Sequence, residues 1–357
     1  MTTRPLSPLT MLLSRHTRRR DFISLFGGAV AAWPRSVLAQ ATGRRALIAW
    51  LWAGSQSVAD GYVRAGKILP PFLEGMRELG YTEGRDFDMV YRFANGDYVR
   101  MPTLAAELAE LNPNVFIAPA SGQEVAIKKV TTTIPIVVGA LADAVALGLV
   151  ASAARPGGNV TGISPYVEGL PAKQLELARE IVPGATRIGL LDDPTDPKAH
   201  PQRREIEAGG QELRVRVVVA EARTAGEIGP AYDLFSAERV EVVVVEQSVM
   251  LINARKQTAE AAAAKKLPSV YGYREHVEAG GLISYGVNLS WCFHRAAYYV
   301  DRILKGAKPA DLPVEFPTEI ELVINLTLAT KIIKKTSPTA SRPFRRSQPL
   351  LWRAVLG

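Results

Sequence analysis

Short runs of β-branched and aliphatic residues alternate with longer amphipathic stretches from residue 45 onward. In the first half, each of four predicted strands is followed by a stretch whose periodicity or Ala/Leu content favours a helix. The predicted strands are ALIAWLW (46–52), FDMVYRFA (87–94), VFIAPA (115–120) and IPIVVGA (134–140), and the predicted helices are 71–81, 101–111, 122–131 and 145–154. This order is typical of an α/β unit built on a parallel sheet.

The second half repeats the pattern. Its predicted strands are 187–193, 214–222, 240–246 and 268–273, and its predicted helices are 172–182, 200–213, 224–237 and 252–266. Two similar units in series, each with loops at the carboxyl ends of its strands, place a ligand crevice between them.

A further strand (280–289), a helix and a strand pair in VEFPTEIELVIN (314–325) follow the second unit. We therefore expect the chain to return to the first unit and cross back, which makes three crossings. The predicted fold is α/β, with two doubly wound parallel-sheet lobes joined by a three-strand hinge. The expected first lobe is 45–161 plus 283–311, and the second is 162–282 plus 312–330.

The stretch RPGGNVTGIS (155–164) lies between the two predicted units. Its glycines do not introduce a phosphate-binding helix, because the β-branched residues after them predict a strand. We interpret this stretch as the first crossing, with Asn159, Thr161 and Gly162 as hinge residues and Ser164 to Tyr166 entering the crevice.

The N-terminal segment predicts an export signal. Residues 15–39 contain a cationic stretch, a short apolar run, a proline and then Val37-Leu38-Ala39, so we expect cleavage after Ala39. Arg19-Arg20-Asp21-Phe22-Ile23 resembles the twin-arginine motif, although an ordinary secretory signal stays an alternative. The predicted location of the mature protein is the periplasm.

Charge and composition narrow the classes of function. The formal net charge is +8, but six Arg in 1–39 and seven Lys or Arg in 331–357 supply the excess. The body lacks the clustered cations that nucleic-acid binding needs. Cys292 is the only cysteine, which excludes an intramolecular disulfide or a multi-Cys metal site.

Several strings, in order along the chain, carry a family resemblance: ELGYTEG, TTTIPIVV, RPGGNVTGIS, YREHVEAGGLISYG and RILKGAKPADLPVEFPTEIELVIN. They resemble the ABC-transporter substrate-binding proteins of the tryptophan and aromatic amino acid type, with a type I periplasmic binding fold. The resemblance covers about 45–328. It implies a monomeric protein that binds a small amphipathic solute, such as an amino acid, and delivers it to an inner-membrane ABC permease without catalysis or a cofactor.

The chain departs from this pattern in two places. Asp143-Ala144 stands where the family usually has Asp-Pro. The basic tail 331–357 lacks the helical periodicity expected there, which a frameshift or a disordered tail would explain.

Polar and aromatic residues that follow the predicted strands are the candidate ligand-binding residues. They are Ser55, Gln56, Ser121, Gly122, Asp143, Ser164, Tyr166, Asp192, Glu246 and Tyr273. The resemblance implies that serine loops of the first lobe hold a ligand carboxylate while an acidic residue receives the amino group. Asp143 is the first candidate for that ammonium partner, with an N-cap of the following segment as an equal alternative.

The sequence gives little support for an enzymatic function. The sequence has no G-x-x-x-x-G-K-[ST], G-x-S-x-G or H-E-x-x-H motif, and its four histidines have no metal-ligand spacing. A ligand sensor or receptor domain of the same fold, and a hydrolase less so, stay as alternatives.

Overall fold

The computed structural model describes residues 45–54, 68–95, 97–120, 122–141, 144–145 and 147–330. The predicted export signal and the basic tail lie outside these residues. In the first half the elements are β1 (Ala46–Trp52), α1 (Leu69–Glu78), β2 (Phe87–Phe93), α2 (Met101–Glu110), β3 (Val115–Ala118), α3 (Gln123–Val130), β4 (Ile136–Val138) and β5 (Val160–Gly162).

The second half begins with a helix, and a short helical stretch (326–330) follows its last strand. Its elements are α4 (Leu170–Ile181), β6 (Arg187–Asp192), α5 (Ala199–Leu213), β7 (Arg216–Glu221), α6 (Ile228–Ala237), β8 (Val242–Val245), α7 (Val249–Asn253), α8 (Arg255–Lys265), β9 (Ser269–Tyr271), α9 (Arg274–Glu278), β10 (Ile283–Val287), α10 (Leu289–Leu304) and β11 (Ile320–Ile324).

Two sheets organise these elements. The first has the strand order β2-β1-β3-β4-β5, and all of its pairs are parallel. The second has the order β11-β10-β9-β8-β6-β7, and only its β10–β11 pair is antiparallel. Helices cover both faces, so central strands such as the all-valine, fully buried β8 are continuous apolar runs. The two-lobed α/β prediction is confirmed.

The chain passes between the two sheets three times, as predicted. It leaves the first sheet after β5, returns between β10 and α10, and leaves again after Asp311 to form β11. The first and third passages are tied together, because the Thr161 hydroxyl donates to the Leu312 carbonyl at 2.7 Å and Ile163 forms a bridge with Glu315.

Strand β10 lies elsewhere than expected. Residues 283–311 were expected in the first lobe, but β10 pairs with β9 in the second sheet. Only the helix after it, α10, packs on the first lobe, against α1. The second passage therefore occurs at Asn288, whose side chain accepts the Trp291 N–H at 3.1 Å and so begins α10.

Two smaller expectations were wrong. The predicted helix 145–154 is a series of turns and bends in its described residues, with Gly148 at φ +63°. Of the predicted strand pair in 314–325, only β11 is a strand, while Glu315 makes a single bridge.

The three predicted hinge residues differ in their contacts. The Asn159 side-chain amide donates to the carbonyls of Thr131 and Ile134, so it fixes a connection inside the first lobe. Thr161 links two passages, as described above. Gly162 has φ +140° and lies in β5, where a Cβ would come within 2.1 Å of the Val138 carbonyl oxygen.

We expect Gly162→Ala to lower the free energy of unfolding by about 2–4 kcal/mol, because it combines a strained φ with a backbone clash. Urea unfolding of the mature protein measures this change. Gly158→Ala is the matched control, since a Cβ there meets nothing within 4 Å and its φ is ordinary. Equal stability of the two variants would contradict the close packing of β5 on β4. A proline at 162 would test the same packing rather than hinge motion.

Candidate functional site

The carboxyl ends of the parallel strands, with the loops and helix beginnings that follow them, carry many of the buried polar side chains. On the first lobe these are Gln123, Glu124 and Ser164. On the second lobe they are Asp192, Asp193, Asp196, Lys198, Gln202, Glu246, Gln247 and Ser248. Such loops form the ligand crevice of α/β proteins, so these two groups define the candidate site.

Hydrogen bonds between neighbouring loops hold the second-lobe group. The Asp193 N–H donates to Glu246 Oε1 at 2.7 Å, and the Ser248 hydroxyl donates to Asp193 Oδ2 at 2.5 Å. Gln202 of α5 bonds the backbone of Gln247 in both directions, at 2.8 and 3.1 Å. The loops after β6 and β8 are thereby held together before any ligand is bound.

Asp192 and Glu246 form a buried pair of carboxyl groups at the ends of adjacent strands. Burial, followed by a hydrogen bond with Asp192 and by the Asp192 charge, raises the pKa of Glu246 well above its usual range. Neither Asp192 Oδ1 nor Glu246 Oε2 receives a hydrogen bond from an N–H or hydroxyl of the described residues. Buried acceptors are rarely left without a donor in folded proteins, and here the donor is either a proton shared within the pair or a group supplied from outside.

An ion pair lies next to this acid pair. Lys198 Nζ is 2.7 Å from Asp196 Oδ1, and both side chains are buried. Asp196 Oδ2 also accepts the Val249 N–H at 3.1 Å.

The first lobe contributes the beginning of α3. Gly122, at φ +96°, turns the chain into this helix, and Gln123 Oε1 accepts the Ala120 N–H at 2.9 Å. Glu124 Oε1 accepts the Gly122 N–H at 3.1 Å, while Glu124 Oε2 and Gln123 Nε2 have no hydrogen-bond partner among the described residues.

Glu124 is also the point where the two lobes interact electrostatically. Burial raises its pKa to about 7, the Lys198 charge lowers it, and the Asp196 charge raises it further. Lys198 and Asp196 belong to the second lobe, so the polar groups of both lobes face one common region.

One buried apolar cluster contains residues of both lobes, among them aromatic side chains at strand ends. Tyr273 and Ile252 of the second lobe belong to the same apolar cluster as Trp52 and Phe293. Trp52 ends β1, and its indole Nε1 has no hydrogen-bond partner among the described residues. Tyr273, a predicted binding residue, is 4% exposed and directly precedes α9.

Ser164 and Tyr166 line a cavity of about 420 Å³ beside the first and third passages. Its other lining residues are mainly apolar: Ala144, Val145, Val150, Ala153, Val167, Glu168, Val314 and Phe316. The Tyr166 hydroxyl donates to Glu205 of α5, and the Ser164 N–H donates to the Glu315 carbonyl at 2.8 Å. The cavity is large enough for a small organic molecule.

The predicted site residues thus fall into three groups. Asp192, Glu246, Tyr273 and Gly122 lie at the polar and aromatic region, and Ser164 and Tyr166 line the cavity. Ser55, Gln56, Ser121 and Asp143 lie outside the described residues.

Sequence reasoning missed Gln123, Glu124 and Lys198. The predicted candidates follow the strands closely, whereas these side chains lie further along, where the next helix begins. The beginning of each following helix is the sequence signal that points to them.

A family model described as ABC transporter substrate binding protein matches residues 66–337. The chain belongs to this family. As a substrate-binding protein, it is not an enzyme.

Relatives of this family member agree in sequence and in fold. A tyrosine-binding protein of Clostridioides difficile (strain R20291) is 24% identical over 254 residues, which are 71% of this chain and 73% of that protein. A conserved domain protein from Vibrio cholerae superposes with a TM-score of 0.74 at 27% identity, over 81% of this chain and 95% of that one. An ABC domain from Streptococcus pneumoniae in complex with L-Trp has a TM-score of 0.73 at 23% identity, with the same coverage.

The described residues hold neither a membrane-spanning helix nor a metal-binding cluster. None of their helices is long and apolar enough to cross a membrane. They also contain no group of three or more His, Cys, Asp or Glu side chains arranged to hold a metal ion.

The raised pKa of Glu124 predicts how stability varies with pH. Between pH 4.5 and about 7 the folded chain keeps a proton that the unfolded chain has lost. The contribution of Glu124 to the free energy of unfolding therefore falls by about 3 kcal/mol as the pH rises through that window. Glu124→Gln should remove the loss, so the variant should gain stability over the parent between pH 5 and 8 in urea unfolding.

The exposed Glu110→Gln variant is the control for this measurement. A parallel pH profile for parent and Glu124→Gln would show that Glu124 titrates normally in the folded protein.

Proposed function

We propose that this protein is the extracytoplasmic solute-binding component of an ABC importer, and that it binds an amino acid between its two lobes. Family membership supports the substrate-binding role. The observation that carries the finer proposal is the set of buried, unpartnered polar atoms contributed by both lobes, together with the aromatic side chains of the apolar cluster that both lobes share.

The chemistry of the site fits a ligand with an ammonium group and an apolar part. Asp192 Oδ1 and Glu246 Oε2 are buried acceptors that lack an N–H or hydroxyl donor among the described residues. Charge-assisted hydrogen bonds from an ammonium group would satisfy them, with loss of any proton held by the pair. Trp52 and Tyr273 offer flat apolar surfaces. The ligands of the two relatives, tyrosine and L-Trp, have the same combination of groups.

Binding would favour a closed arrangement of the lobes. A ligand shifts this equilibrium only through contacts that differ between the open and closed states, so residues of both lobes must contribute. The three passages provide the connection about which the lobes would rotate, and an inner-membrane permease would receive the closed, monomeric complex.

Export rests on the N-terminal sequence alone. The proposed cleavage after Ala39, by the twin-arginine or the general secretory route, would release the mature protein into the periplasm.

A ligand panel tests the proposal. Purified mature protein is heated with each of the twenty L-amino acids, with myo-inositol as a non-amino-acid control, and positive compounds are titrated by calorimetry. We expect at least one aromatic amino acid to raise Tm by a few degrees at 100 times its Kd, where binding adds about 2.7 kcal/mol. A folded sample that no amino acid stabilises would overturn the amino acid assignment.

The variant Glu246→Gln tests the ammonium contact. Glutamine resembles the protonated carboxyl that burial favours here, so the ligand-free protein should stay folded. Affinity for the amino acid should fall roughly 10- to 100-fold, because a buried charge-assisted contact is lost. The control is Glu260→Gln on the exposed surface of α8. Unchanged affinity of Glu246→Gln would remove the acid pair from the binding site.

A further inference from the structure

Lys198 is the only lysine or arginine among the buried side chains of the part of the chain that the structure describes. It lies immediately before α5, where the partial positive charge of the helix N-terminus adds to that of its ammonium group. An ammonium group in this position can donate hydrogen bonds to carboxylate oxygens, as its contact with Asp196 shows.

The hydrogen bonding of Lys198 is incomplete. An ammonium group has three N–H donors, and the one side-chain bond that Lys198 makes is to Asp196 Oδ1. Burying donors without partners is costly. The remaining donors are therefore available to an acceptor that is not part of the described protein.

The opposite lobe presents a second unsatisfied donor. Gln123 is fully buried at the beginning of α3, and its Nε2 has no hydrogen-bond partner among the described residues. The adjacent Glu124 feels the charge of Lys198, although the two side chains form no ion pair within 4.0 Å in the described structure. Lys198 of one lobe therefore lies near enough to the beginning of α3 in the other lobe to interact with it electrostatically.

We propose that Lys198 determines specificity by binding the carboxylate of an α-amino acid, with the Gln123 amide as a second donor from the first lobe. This inference rests on the proposed function and adds the orientation of the ligand. The ammonium group lies at Asp192 and Glu246, and the carboxylate lies toward Lys198 and α3. Since the two donors belong to different lobes, the carboxylate would also stabilise the closed arrangement.

Asp196 sets the strength of this contact. It neutralises Lys198 in the absence of ligand, so burying the ammonium does not leave an isolated charge. A ligand carboxylate then adds a second acceptor to the same ammonium group. Removal of the lysine alone would leave Asp196 unpaired, and a variant that removes both charges is therefore needed.

The test compares three compounds at pH 7: the tightest-binding amino acid of the panel, its α-amide and its decarboxylated amine. For tyrosine, these are L-tyrosine, L-tyrosinamide and tyramine. Calorimetry measures Kd for the parent, Lys198→Gln, the charge-balanced double variant Lys198→Gln/Asp196→Asn, and the exposed control Lys256→Gln.

In the parent and in Lys256→Gln, we expect the amino acid to bind roughly 10- to 100-fold more tightly than its amide and its amine, as for a buried hydrogen bond between charged groups. In Lys198→Gln or the double variant, this preference should fall to within about threefold. A purely structural role of Lys198 would lower stability and weaken all three compounds alike.

Three results would overturn the inference while leaving the proposed function intact: no preference for the carboxylate in the parent, full preference retained in the double variant, or parallel weakening of all three compounds. Failure of every amino acid to bind the folded parent would instead overturn the proposed function, and the inference with it.

Discussion

The placement of polar groups out of water, at the ends of two parallel sheets, is the constraint on which the rest of the structure depends. A buried carboxyl or ammonium group is tolerated only with partners. The loops after β6 and β8 provide these partners for Asp193 and Asp196, and the first turn of α3 does so for one oxygen of Glu124. Some buried polar atoms stay without a partner among the described residues, among them Gln123 Nε2 and Glu124 Oε2 at the beginning of α3. In the proposed function, these atoms connect ligand binding with closure and protonation.

The linkage has a physical cause. Glu124 feels Lys198 and Asp196 only because residues of different sheets approach each other. Separation of the lobes would admit water, lower the cost of ionising Glu124 and weaken the electrostatic interaction among all three groups. If the lobes open and close as proposed, ligand contacts and proton uptake would act on the same equilibrium.

Much of the fold was predictable because parallel strands buried on both faces are continuous apolar runs in the sequence. β1 was predicted with its observed bounds, and most other elements within a few residues. The wrong predictions concern segments whose structure is not determined by the local sequence. The stretch 145–154 has an Ala/Leu composition that favours a helix. Gly148 at φ +63° and the hydrogen bonds of the turns around it nevertheless give a non-helical backbone. β10 could not be assigned to a sheet from its sequence, because pairing with β9 depends on the whole topology.

The candidate site was partly predictable for a related reason. Asp192, Glu246 and Tyr273 follow strands directly, so a rule based on strand ends found them. Lys198 lies six residues beyond β6, after a turn that the sequence does not place in space. Its burial and its interaction with Glu124 depend on the approach of two lobes, which no local pattern reports.

The position of α10 has a consequence for how the chain folds. Phe293 and Ala296 of this helix lie in one apolar cluster with Trp50 and Phe72, and a Cβ at Gly139 would overlap the Phe293 ring. Part of the core of the first lobe is therefore supplied by a segment that is synthesised after all but one strand of the second. The first lobe cannot complete its packing during early translation, and its final assembly waits for the chain to return, which favours slow folding governed by contacts distant in sequence.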